Sequence, residues 1–169
     1  MNPADELVTI VDQHNRVVGN VARHEMRTRK LPHRAAYILV FNSSGELFVQ
    51  KRTRSKDIYP GYFDVAAGGV VLAGESYEEA AKRELAEELG IRDADLAGHF
   101  TFRHEDVNNL VWGKVFSCSY DGELILQAEE IAGGFFARPD EVLALSDKEP
   151  FTPDGIYVLK RYLELSLGG

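Results

Sequence analysis

The segment Ser76–Leu89 carries acidic residues whose spacing suits metal chemistry. Glu84 and Glu88 are four residues apart, so on a helix they face each other as a like-charged pair. Neither has a cation four residues away within the segment. Glu87 is three residues from Glu84 and broadens the cluster, with Arg83 in reach of it. Tyr77, Ala81, Leu85 and Leu89 recur at helical spacing and form an apolar stripe beside this face. Three carboxylates converging next to small apolar side chains suit a hard divalent cation, Mg²⁺ or Mn²⁺. A solvated acidic face is the plain alternative. The preceding glycines favour the metal: a cation-bound phosphate needs close backbone approach, and Gly68–Gly69 leads towards this helix.

The elements that must hold these groups are legible around them. Ser76 with Glu79 predicts a capping box, and Gly90 stands where a terminating glycine belongs. Glu78–Lys82 and Glu79–Arg83 are expected as ion pairs on the outer face. LVTIVDQHNRVVGNVAR reads as two short strands around Gln13–Arg16, and the polar Arg23–Lys30 as a helical turn. Ala35–Arg52 predicts a β-hairpin turning at Ser43–Gly45. RTRSKDIYPGYF is a basic loop, and Asp64–Gly74 a small, flexible one. GHFTFRH and LVWGKVFSCSY predict strands joined by EDVNN, and GELILQ a further strand. PDEVLAL and DGIYVLKRYLEL predict helices. Strands and helices mix without regular alternation, which points to an α+β fold on a mixed sheet.

Gly69–Ile91, GVVLAGESYEEAAKRELAEELGI, resembles the Nudix box, Gly-x5-Glu-x7-Arg-Glu-U-x-Glu-Glu-x-Gly-U with U a bulky aliphatic. Gly69, Glu75, Arg83, Glu84, Leu85, Glu87, Glu88, Gly90 and Ile91 fill every specified position. The resemblance implies a Nudix fold, an α/β/α sandwich around a mixed β-sheet, over residues 32–165. Residues 1–31 are then an N-terminal extension packed on that domain. It also implies hydrolysis of a nucleoside diphosphate linked to a variable group. By position, Glu84, Glu87 and Glu88 would bind divalent metal, with the Gly68 carbonyl as a further ligand. Glu75 would support the site and Arg83 orient the glutamates. A downstream glutamate often joins such sites as ligand or base; Glu130 is the candidate and Glu129 its competitor. The chemistry these residues suit is water attack on phosphorus, in which positioning and electrostatics supply most of the catalysis. One of the glutamates would accept the water proton.

HRAAYILVFNSSGELFVQKRTRSKDIYPGYFD also resembles isopentenyl-diphosphate isomerases, which share the fold. Arg52 and Lys56 match residues that grip the diphosphate there. The isomerase cysteine is replaced by Gly68 and its Gly-His pair by Gly69–Val70, so isomerisation is the alternative reading and hydrolysis the main one. A binding module that has lost catalysis is a third, opposed by the complete box. Asp106 and Val107 stand where ADP-ribose hydrolases tend to carry a proline. Nucleoside di- or triphosphates remain by elimination, with Tyr62, Phe63, Phe100, Phe102 and Trp112 available for stacking but expected mostly in the core.

With 169 residues the chain is one domain in size. Its 19 basic and 27 acidic residues give a net charge of −8, a poor field for long nucleic acid, so a small nucleotide is the expected partner. No apolar run is long enough to cross a membrane, and the first residues lack a secretory pattern. The single cysteine, Cys118, excludes an intrachain disulfide and fits a reducing compartment, so a cytoplasmic location is expected. Cys118 reads as core, and the scattered histidines as surface or capping groups. A homodimer is compatible with all of this.

Overall fold

The computed structural model describes residues 2–167. Strands β1 (Leu7–Val11) and β2 (Val17–Ala22) form an antiparallel hairpin, followed by the short helix α1 (Arg23–Arg29). Then come β3 (His33–Phe41), β4 (Leu47–Arg52), β5 (Phe63–Asp64) and β6 (Ala67–Val70). Helix α2 (Tyr77–Leu89) precedes β7 (Ala97–Glu105), β8 (Leu110–Ser119) and β9 (Ile131–Ala137). Helices α3 (Pro139–Ser146) and α4 (Pro153–Leu167) complete the order.

The sheet is mixed, with helices on both faces. Strand β3 is its centre: it runs parallel to β8 from His33–Val111 to Phe41–Ser119 and antiparallel to β6 from Ala35–Val70 to Ile38–Ala67. Side chains alternate across it, as strand geometry requires. Ala36, Ile38 and Val40 pack with Ala81, Leu85 and Leu89 of α2. Ala35, Tyr37 and Leu39 pack with Val142 of α3 and Val158 and Leu159 of α4. The β1–β2 hairpin joins the same sheet through Ile10–His33 and a bridge from Val8 to Leu72.

Four local expectations are corrected. The turn between β3 and β4 forms, with the Asn42 side chain accepting from Ser44 and Glu46 N–H, but the two strands pair only at Phe41–Leu47. Beyond that they splay, because β3 takes β6 and β8 as neighbours while β4 takes β5 and β9. The Asp64–Gly74 segment is not a free loop, since Ala67–Val70 is a paired strand. GELILQ forms no strand; the N–H groups of Ile125 and Gln127 donate to the Leu89 and Glu88 carbonyls and satisfy the end of α2. The missed strand is β9, hidden by its glycines. Gly134 packs against Phe48, whose Cζ would lie 2.3 Å from any added Cβ.

Candidate active site

Local sequence sets α2 as expected. The Ser76 hydroxyl accepts from Glu79 N–H at 3.1 Å, the Glu79 carboxylate accepts from Ser76 N–H at 3.0 Å, and Gly90 ends the helix at a φ of 71°. The predicted outer pairs rearrange. Glu78 meets Lys114 at 2.7 Å, and Glu79 is engaged in the cap.

Arg83 does more than orient one neighbour. Its Nε and one terminal nitrogen donate to the two Glu75 oxygens at 2.7 and 3.0 Å, a two-point contact of the strong, charge-assisted kind. The other terminal nitrogen donates to Glu84 at 2.8 Å and to Glu87 at 3.3 Å. Burial works against the Glu75 carboxylate, but Arg83 and the Leu72 N–H hold it below its ordinary range.

Glu84 and Glu88 are 8% and 4% exposed, so the like-charged pair faces the interior. Burial raises the Glu84 carboxyl, with Arg83 opposing. It raises Glu88 well above the ordinary carboxylate range, and the neighbouring Glu84 charge adds to this. The Gly68 N–H donates to Glu88 at 2.7 Å. A Cβ on Gly69 would lie 2.8 Å from a Glu84 oxygen, and one on Gly68 would collide with the Ala36 carbonyl at 2.0 Å. Gly68 is thus required by close approach of backbone and by its φ of 131°, whereas a side chain at position 69 would push the Glu84 carboxylate aside. Glu87 is exposed at the rim.

Glu130 is brought to this cluster. It forms an ion pair with Lys56, and both line a hollow of about 300 Å³ with Glu84, Glu87, Glu88 and Arg23. The competitor Glu129 supplies its backbone carbonyl to Thr53. Arg52 is placed differently: it donates twice to the Ile58 carbonyl, at 3.3 and 3.0 Å, and pairs with Asp64 at 3.6 Å. A second cavity opens where β3 and β4 splay, bordered by Arg52, Lys56, Gly68 and Gly69. A wider hollow of about 910 Å³, bordered by Asn42, Arg92, Tyr120 and Tyr162, is lined by none of the buried carboxylates.

The sequence reading missed Arg23 and Arg27. Both come from α1, and both line the cavity beneath the splayed strands. Arg27 pairs with Asp57 at 2.8 Å. Arg23 is 3.6 Å from Glu6, and its Nε is buried without an acceptor among the described residues. The available signal was the cation density of RHEMRTRK.

Among the described residues, no three carboxylate, histidine or cysteine side chains are already gathered as a metal cage. The reason is visible: Arg83 holds Glu84, Gly68 N–H holds Glu88 and Lys56 holds Glu130. The donor set nevertheless fits a divalent cation. Buried oxygen ligands with raised proton affinity face a space kept clear by Gly69, and a hard cation would relieve their repulsion.

Residues 31–161 match the NUDIX domain family. The chain belongs to the Nudix hydrolase family. It is 49% identical over 159 residues to an uncharacterized Nudix hydrolase of Pseudomonas aeruginosa, covering 94% of each chain. The uncharacterized Nudix hydrolase YfcD of Escherichia coli K12 is 42% identical over 159 residues, covering 94% of this chain and 87% of the relative. The crystal structure of DR0079 from Deinococcus radiodurans superposes with a TM-score of 0.82 at 28% identity, covering 92% of this chain and 98% of that one. The α2 segment is therefore the Nudix helix, and the general chemistry is hydrolysis of a pyrophosphate bond. Nudix enzymes generally use divalent metal and act on small-molecule nucleotides. The isomerase resemblance gains no support from these relatives. No described helix is long and apolar enough to cross a membrane.

Proposed function

We propose that this Nudix hydrolase cleaves a phosphoanhydride bond in a nucleoside di- or triphosphate by metal-assisted attack of water on phosphorus. The observation that carries the reading is the buried Glu84–Glu88 pair set against Gly68–Gly69, with Lys56 and Arg23 on the same hollow. Glu84, Glu87 and Glu88 would hold Mg²⁺ or Mn²⁺, with the Gly68 carbonyl as a further ligand. When bound, the cation supplies positive charge against the phosphate oxygens and makes water more acidic.

This chain's own residues supply the rest. Arg83 fixes the direction of Glu84 through its hold on Glu75. Glu130 is the candidate proton acceptor, with its carboxylate on the hollow and Lys56 beside it. Lys56 and Arg23 would take the phosphates, Lys56 as a mobile point charge and Arg23 with an unused donor. Arg52 would act one step back, steadying the loop from Ile58. Residues 1–31 are then a working extension of a domain over 32–165, because α1 furnishes Arg23. A cytoplasmic setting fits the single, buried Cys118.

The test is a panel of nucleoside di- and triphosphates with Mg²⁺ or Mn²⁺, with phosphate and pyrophosphate release measured separately. Metal-dependent release from at least one nucleotide is expected. No release across the panel, with the protein folded, overturns the reading.

A further inference from the structure

Among the described residues, the carboxylate hollow is bordered by one uncharged polar side chain, that of Gln127. The charged side chains that share the hollow are engaged with one another: Lys56 holds Glu130, Arg83 holds Glu84 and Glu87, and Glu6 lies 3.6 Å from Arg23. Glu88 accepts from the Gly68 N–H. Gln127 is half-buried beside them, and with its neighbours' bonds going elsewhere its amide has no partner among the described residues. The apolar Leu124 and Leu126 explain how this segment packs on the core. They do not explain an amide at the position that follows.

The backbone of Gln127, by contrast, is held firmly. Its N–H donates to the Glu88 carbonyl at 2.9 Å, and its carbonyl accepts from Glu130 N–H at 3.0 Å and from Ile131 N–H at 2.8 Å. Both backbone polar groups are thus spent, so what the residue has left for the hollow is its amide. The bond from Glu130 closes a tight turn with Gln127 and Glu130 at its two ends, which sets their Cα atoms within about 7 Å of each other. Thr53 fixes the far end of the turn, its N–H donating to the Glu130 carbonyl at 3.1 Å and its hydroxyl to the Glu129 carbonyl at 3.1 Å. A carboxylate and an amide therefore border one hollow from a single rigid turn, the kind of support that a precise site needs.

We infer that Gln127 is a catalytic residue of the hydrolysis, its amide oxygen holding the attacking water beside Glu130. The inference rests on the phosphoanhydride hydrolysis proposed above and adds a residue to it. A water poised on phosphorus has both of its hydrogens to place. Glu130 takes one as a proton. Gln127 Oε1 accepts a hydrogen bond from the other, which leaves a lone pair of the water oxygen for phosphorus. The water oxygen forms the new bond to phosphorus, and the bridging oxygen leaves with the electron pair of the bond that breaks. The hydrogen held by Gln127 stays on the product as a hydroxyl. An amide suits this task better than a further carboxylate. It accepts without a charge, so it neither repels the incoming phosphates nor competes with Glu130 for the proton. Phosphoryl transfer relies mainly on positioning, and a side chain that orients the attacking water is one of its recurrent parts.

Gln127→Leu tests this, because it keeps most of the bulk and removes the amide. With Mg²⁺ and the nucleotide of the panel that the wild type cleaves best, kcat should fall roughly 10- to 100-fold while KM stays within about twofold. The analogue of that nucleotide with a methylene in place of the bridging oxygen should bind the wild type and the variant with equal affinity. Mg²⁺ should raise the two melting temperatures by the same amount, since Glu84 and Glu88 are intact. An unchanged kcat in folded Gln127→Leu overturns the inference. So does a loss confined to KM and to the affinity for the analogue, which would make the amide a donor to phosphate. In both cases the wild type still turns over, and the hydrolase reading stands. No release from any nucleotide by the wild type overturns both. If Gln127→Leu does not fold, Gln127→Ala takes its place under the same criteria.

Discussion

The backbone N–H of Gly68 donates to the Glu88 carboxylate at 2.7 Å. The bond ties strand β6 to the Nudix helix across the base of the carboxylate hollow. It also opposes the burial that otherwise drives Glu88 towards its neutral form. The result is a carboxylate fixed in direction but poorly stabilised in charge, a state that a cation can improve and that folding alone does not.

Glu88→Gln should therefore separate activity from stability. The amide keeps the size of the side chain and can still accept from Gly68, while it removes one buried charge of a repelling pair. Turnover on the best substrate should fall roughly 10²-fold or more, about 3 kcal/mol in barrier. The melting temperature should be equal to or above the wild type's. Near-normal turnover in a folded variant would remove Glu88 from the chemistry.

Divalent metal should stabilise the native state by mass action. At about one hundred times Kd the gain is ~2.7 kcal/mol, or about 5–10 °C for a chain of this size. Thermal melts with Mg²⁺, Mn²⁺ and EDTA measure it. The shift should largely vanish in a Glu84→Gln/Glu88→Gln double variant. An undiminished shift there would place the metal elsewhere.

What could be read from sequence follows the range of the forces involved. Helix α2 was legible because its caps, Ser76 with Glu79 and Gly90, act within a few residues. Its buried face was legible too, because Glu84 and Glu88 share a side with small residues. Strand β9 was not, because Gly134 answers to Phe48 on another strand. The segment after β8 carries the apolar run Leu124–Leu126, which by itself reads as a strand. Its N–H groups instead serve the end of α2. Arg23 escaped notice because nothing local places α1 beside the Nudix helix; the pairing of β1 with β3 does that. Arg52 and Lys56 are grouped by their match to the diphosphate-gripping residues of the isomerases, yet they face different carboxylates, Asp64 and Glu130.

That last difference predicts an order of effects. Lys56→Ala and Arg23→Ala should each lower kcat/KM by on the order of tenfold, about 1.4 kcal/mol, on every substrate whatever its base. Arg52→Ala should act mainly on stability, since it leaves the largely buried Asp64 without its cation. Kinetics on two nucleotides with different bases, beside melting temperatures, separate the two classes. A larger kinetic loss in Arg52→Ala than in Lys56→Ala would return Arg52 to the phosphates.

His33 should make the fold sensitive to acid. It is 2% exposed, with Nδ1 at 3.0 Å from the Leu31 carbonyl. Burial, then the positive charge of Arg27, push its pKa down to about 4. In the unfolded chain it titrates near ~6.5. As pH falls, the unfolded state takes up this proton first, so the group's contribution is complete above ~6.5 and is lost on the way down through about 4. The full loss is roughly 3 kcal/mol. Asp64 acts in the opposite sense over part of the same range: burial raises its carboxyl to about 6, so its native form gains a proton first and the fold gains stability as pH falls. The wild-type curve alone is therefore a composite. His33→Asn keeps a donor for the Leu31 carbonyl and cannot titrate. Urea unfolding of both proteins between about pH 7 and 4 isolates the histidine, because Asp64 is common to both. The wild type should lose stability relative to His33→Asn as pH falls. A difference that stays constant across the range would mean that His33 does not resist protonation in the native state.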